Sequence, residues 1–285
     1  MRETQTHSLG MTLAECHWGD GQQIILALHG WQDNAASFAA LGEALEASSS
    51  PYQLIAIDLP GHGKSGHFPP SQFYNLWDYL PVLAERIAQC AEPVWLLGHS
   101  LGGMLATQLA ALLPQQVCGL ITLDMVGLRA DKNTQQVTQF LNVLREQLVK
   151  HPAIAPSKSF PAMVARRASV GSPFTTEANA ALMARGTLKR DSSTGEEWHL
   201  RIDPRVRIGS LWRFQEEQSL HLAAQVACPW HVVVAESGFF AHPLVERLRN
   251  QLPIQTVTWW PGGHHCHMES SPHELWNTLV QRIEE

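Results

Sequence analysis

The stretch Pro93-Val94-Trp95-Leu96-Leu97-Gly98-His99-Ser100-Leu101-Gly102-Gly103 restricts the fold more than any other part of the chain. Apolar residues at every position of Val94–Leu97 fit a strand covered on both faces, the pattern of a parallel sheet rather than a one-faced antiparallel one. A helical run, Leu101–Leu113, follows with almost no intervening residues, so the backbone has to reverse sharply at Ser100. Such a turn strains the residue at its apex, and glycines two positions to either side make room for it. The Ser100 hydroxyl is then exposed at a helix N-terminus, where free amides and the macrodipole favour developing negative charge. A serine here could also simply cap the helix, but the strand–turn–helix context favours a nucleophile.

The alternation continues on both sides. Segments around Thr4–Leu9 and Met11–Trp18 read as an antiparallel hairpin. A buried strand Ile24–Leu28, a helix Ala35–Leu45, a strand Gln53–Ile57, a Gly- and Pro-rich loop from Leu59 to Pro70 and a helix Leu76–Gln89 precede the serine turn. After it comes a strand Val117–Leu123. Helical periodicity then dominates, and alternation resumes with a strand Trp230–Ala235, a helix Pro243–Gln251, a strand Gln255–Trp259 and a helix Pro272–Ile283. The expectation is an α/β fold in which 1–126 and 224–285 build a mostly parallel eight-stranded sheet with helices on both faces. A helical cap, 127–223, is inserted over the carboxyl ends of the strands. Within it, Phe160, Met163, Phe174, Trp198 and Trp212 could form an apolar lid, although packing of the cap onto the sheet is the preferred reading for most of them.

A net charge of −6 without a long basic run argues against nucleic acid or an anionic membrane surface as a partner. The cluster Arg201, Arg205, Arg207 and Arg213 could hold an anionic substrate group; a solvated face or ion pairs with Glu216 and Glu217 is the preferred reading. Five cysteines, an odd number with no CxxC pair, fit a reducing cytoplasm. The chain also lacks a signal-like apolar start and any run long enough to span a bilayer, which favours the same location.

A serine hydroxyl needs a base, and histidine titrates in the right range. His264, His265 and His267 follow the last strand. His264, directly after Gly262-Gly263, is the first choice and His265 the second. Adjacent loop residues seldom converge on one ion, so no metal and no cofactor are expected. An acid must orient the base. Asp124, at the end of Val117–Leu123, is placed ahead of Glu236, which has the longer reach; the strand ending at Ala235 carries Gly238 where an aspartate is usual. The oxyanion needs two preorganised donors, for which the amides of Leu101 and Trp31 are the candidates. His29 is read as loop scaffolding.

His29-Gly30-Trp31, Asp58-Leu59-Pro60-Gly61-His62-Gly63-Lys64-Ser65, Gly98-His99-Ser100-Leu101-Gly102-Gly103 and Gly263-His264 resemble the α/β-hydrolase superfamily in order and spacing. His29-Gly30-Trp31-Gln32-Asp33-Asn34, Leu123-Asp124 and His264-His265-Cys266-His267-Met268 resemble its serine hydrolase-like branch. The resemblance implies hydrolysis of small-molecule esters or related acyl compounds, and it favours Asp124 as the acid. Serine in place of a nucleophilic aspartate disfavours epoxide hydrolysis and dehalogenation. A non-catalytic small-molecule receptor, or cofactor-free carbon–carbon or oxygen chemistry on the same triad, are the alternatives. Oligomeric state is left open.

Overall fold

Successive side chains along the central strands go to opposite faces, and each face finds its own core. In β3 (Gln23–Leu28), Leu26 and Leu28 join one cluster while Ile25 and Ala27 join the other; in β4 (Tyr52–Ile57), Ile55 and Ile57 are separated from Leu54 and Ala56 in the same way. This two-sided burial is why the strands read as continuous apolar runs. The structure, a computed structural model, describes residues 1–48, 50–127, 136–149, 153–168, 182–192, 195–208, 210–211 and 214–285.

The hairpin β1 (Arg2–Ser8) and β2 (Met11–Trp18) precedes β3. Then come α1 (Ala39–Ala47), β4, α2 (Tyr79–Ala88), β5 (Val94–His99), α3 (Leu101–Leu112) and β6 (Val117–Leu123). After a long insertion the sheet is completed by β9 (Trp230–Ala235) and β10 (Thr256–Trp260), with α7 (His242–Arg249) between them and α8 (Cys266–Glu269) and α9 (Pro272–Glu284) after them. The eight strands lie in the order β1-β2-β4-β3-β5-β6-β9-β10. β2 pairs antiparallel with β1 and β4, and the remaining pairs are parallel. Leu83 of α2 and Leu105 and Leu109 of α3 pack on one face; Leu41 of α1 and Leu275 and Trp276 of α9 pack on the other. The expected sheet and two-sided helical cover are thus present. Two helices start later than the sequence suggests because a 3-10 turn precedes each, Ala35–Phe38 and Leu76–Asp78. The Asn34 side chain accepts the Ala36 N–H at the first, and an Asn75–Asp78 capping box closes the second.

Between β6 and β9 the described residues hold α4 (Gln136–Val149), α5 (Phe160–Ala168), the antiparallel ribbon β7 (Thr187–Ser192) and β8 (Gly195–Leu200), and α6 (Glu216–Ala223). The expectation of a helical insertion is corrected at the ribbon. Lys189, Arg190, Glu196 and Glu197 populate both strands, so the two-residue period carries no apolar signal. Met163, Val164 and Met183, packed with Phe160, Trp198 and Leu200, form a small core of their own; Phe174 and Trp212 lie outside the described residues.

The arginine cluster is also corrected. Arg205 donates to Asp203 and to the carbonyls of Phe68, Pro69 and Gln72, clamping the loop after β4; Arg201 donates to the Thr187 carbonyl and Arg207 to Gln32. Glu216 pairs instead with Arg247, and Arg213 is outside the described residues. Among the described residues no helix is long and apolar enough to cross a membrane.

Candidate active site

Ser100 sits at the apex between β5 and α3 with φ 51° and ψ −114°, backbone that an L-residue adopts only when its surroundings impose it. A Cβ at Gly98 would overlap the Gly102 carbonyl, and one at Gly102 would overlap the Leu28 carbonyl, so this turn cannot be built from other residues without moving its neighbours. The Ser100 N–H donates to Leu123 O at 3.2 Å, tying the turn to the end of β6. Its side chain remains partly exposed.

Asp124 and His264, the residues read from sequence as acid and base, meet at the ends of β6 and β10. His264 Nδ1 lies 2.5 Å from Asp124 Oδ2, and both residues are buried. Asp124 has φ 42°. Its carboxylate also accepts the Ala235 N–H at 3.1 Å and the Phe239 N–H at 3.3 Å, which fixes it independently of the histidine. A Cβ at Gly238 would fall onto that carboxylate. Asp124 therefore fills, from β6, the space that a side chain at Gly238 would otherwise occupy. Glu236 is exposed, and its described hydrogen bond is the backbone one to Trp260 O. Burial lowers the proton affinity of His264 below the usual histidine value, and the Asp124 hydrogen bond offsets part of that drop.

The second sequence choice for the base is directed elsewhere. His265 Nε2 donates to Asp33 Oδ2 at 3.2 Å, and burial takes its pKa down to about 4. His99 Nε2 donates to the His264 carbonyl at 2.8 Å, with the His99 and His264 ring centroids 4.6 Å apart, so the residue before Ser100 touches the loop that carries His264.

Leu28 pairs with Gly98, so the turns after β3 and β5 leave the sheet side by side and bring Trp31 and Leu101 to the same rim. Leu101 opens α3, and its N–H therefore has no carbonyl one turn back within the helix. The turn carrying Trp31 is closed by Asp33 N–H to Gly30 O at 3.1 Å and by Gln32 N–H to His62 Nε2 at 3.3 Å. His29 is fully buried. It donates through Nδ1 to Gly30 O and accepts the Leu59 N–H at Nε2, which fits loop scaffolding. The Trp31 side chain is half exposed, its indole N–H bound to Val206 O of the insertion at 3.0 Å.

Asp33, His99 and His265 each bring one possible ligand atom within 4.8 Å of the others, a grouping that no spacing in the chain announces. Arg167 and His265 already engage the Asp33 carboxylate. Phe239 was also not singled out from sequence: it is 65% exposed, its ring 4.0 Å from that of His264. Its position beside Gly238, whose missing side chain leaves room for the Asp124 carboxylate, is the available signal.

The description "Alpha/beta hydrolase family" fits residues 25–278. A Drosophila melanogaster protein named "Probable serine hydrolase" is 32% identical over 269 residues, covering 88% of this chain and 78% of the relative. The pimeloyl-[acyl-carrier protein] methyl ester esterase of Edwardsiella ictaluri is 40% identical over 105 residues, 36% of this chain and 37% of that enzyme. The crystal structure of a hypothetical protein from Pseudomonas aeruginosa PAO1 superposes with a TM-score of 0.86 at 28% identity, covering 99% of each chain. The chain therefore belongs to the α/β-hydrolase family, within its serine hydrolase-like branch.

Proposed function

We propose that the protein cleaves carboxylic esters or related acyl compounds through an acyl-enzyme intermediate on Ser100. The observation that carries this reading is the buried Asp124–His264 pair, its carboxylate pinned by two backbone amides, beside a strained serine turn. Ser100 Oγ attacks the carbonyl carbon while His264 takes its proton, and Asp124 stabilises the imidazolium. The Trp31 and Leu101 amides hold the oxyanion. Collapse of the adduct expels the alcohol, which takes the proton from His264. Water activated by the same histidine then releases the acid and restores Ser100. The exposed rings of Phe239 and Trp31 at this rim suit an apolar group on the substrate.

Hydrolysis of p-nitrophenyl esters from acetate to decanoate tests the reading. Wild type should turn over at least one ester, with Ser100→Ala and His264→Ala reduced by about 10³-fold or more. Turnover that survives Ser100→Ala would rule out the serine mechanism.

A further inference from the structure

We propose that Asp33 is a positioning residue that locks the oxyanion loop, the serine turn and the base loop into one register, with Arg167 of the insertion completing the lock. The proposal rests on the assignment of Ser100 and His264 above. Asp33 is 2% exposed, and its own N–H closes the turn that carries Trp31. Its two oxygens face different ways. Oδ1 pairs with Arg167 of α5; Oδ2 accepts the His265 Nε2–H and lies 3.7 Å from His99 Nδ1.

His99 precedes the nucleophile, and its other nitrogen, Nε2, holds the His264 carbonyl. One carboxylate thus holds that loop directly through His265 and lies beside His99, whose other nitrogen holds the same loop. Gly30 belongs to the same assembly: a Cβ there would come 2.8 Å from Asp33 Oδ2 and 2.9 Å from His99 Nδ1, so the oxyanion loop closes onto this pair only with glycine in place. Burial alone would raise the Asp33 carboxyl, but His265, His99 and Arg167 outweigh it and hold the group well below the usual carboxylate range. It is therefore a permanent anion under the site.

The His264 ring faces Asp124, His99, His265 and the Phe239 ring, with Asp33 behind the histidines. The charges of Asp124 and Asp33 both favour its protonated form. Removing the Asp33 charge should therefore lower the midpoint at which His264 titrates, whereas mere loosening of the fold should lower rates and, by letting water reach the ring, move that midpoint up towards the ordinary histidine value.

The test combines NMR titration of His264 with ester kinetics on Asp33→Asn. Expected are a His264 midpoint below that of wild type, and a kcat reduced by about 10–100-fold at a KM changed less than about twofold, as misplacement of reacting groups gives. An unchanged or raised midpoint, or a loss of rate that only tracks the loss of folded protein, overturns the proposal. If Asp33→Asn does not fold, His265→Gln carries the test: it removes one arm of the network and should lower kcat about 3–10-fold at constant KM, and wild-type kinetics in that variant overturn the idea. A shifted midpoint in a protein whose wild type hydrolyses no ester would contradict the hydrolase reading while leaving the role of Asp33 standing.

Discussion

Gly238 lacks a side chain where the chain leaves β9, and that gap admits the Asp124 carboxylate from the neighbouring strand. Gly238→Ala should therefore displace the acid and lower kcat by about tenfold or more, with a smaller effect on KM. Asp124→Asn should cost more, about 10³–10⁴-fold in kcat, because an amide cannot hold His264 in the required tautomer. Steady-state kinetics on esters separates the two. In the proposed mechanism His264 acts as a base only when neutral, so kcat/KM should rise with pH through its titration. Burial lowers that group, so the acid limb should fall below the ordinary histidine value of 6.5. A limb at or above that value would contradict the burial argument.

At the scale of elements, the strand–turn–helix unit around Ser100 is held by backbone in close approach. Gly102→Ala would drive a methyl group into the Leu28 carbonyl, and thermal unfolding should show a loss of about 3 kcal/mol or more. This unit was legible in sequence because two-sided burial leaves continuous apolar runs and a tight turn leaves its glycines. The sheet and its covering helices were legible for the same reason. The ribbon Thr187–Leu200 was not, since charged residues on both strands erase the period. The Asp124–His264 contact joins residues 140 positions apart, and strand order decides it; sequence could rank Asp124 over Glu236 only from a missing aspartate at Gly238 and from the resemblance to the serine hydrolase-like branch. The Asp33 network was missed because Asp33 and His265 look like ordinary loop residues, His99 like a strand end and Arg167 like a helix-face residue, until the fold brings them together.

At the scale of the molecule, the insertion is fastened to the sheet by buried charge. Arg185 reaches the fully buried Asp58 at 2.7 Å and Glu3 at 2.6 Å, while Asn34 donates to Leu182 O at 2.9 Å. Arg185→Ala should leave the Asp58 anion uncompensated and cost about 3–5 kcal/mol in urea unfolding. Acid should destabilise the whole protein as well. Burial takes His29 and His265 to about 4 and His62 to about 3, so below pH 6.5 the unfolded chain binds protons that the folded one refuses. Stability should be full above that pH and fall as pH drops towards 4, by up to about 1.4 kcal/mol per pH unit for each such proton. A urea midpoint constant over that window would be evidence against these buried neutral rings. The central claim, an activated serine at the end of β5, is tested most directly by intact-protein and peptide mass spectrometry after treatment with a fluorophosphonate. A single adduct on the peptide containing Ser100, absent in Ser100→Ala and formed far more slowly in His264→Ala, is the expected result. No adduct, or an adduct that persists in Ser100→Ala, would contradict it.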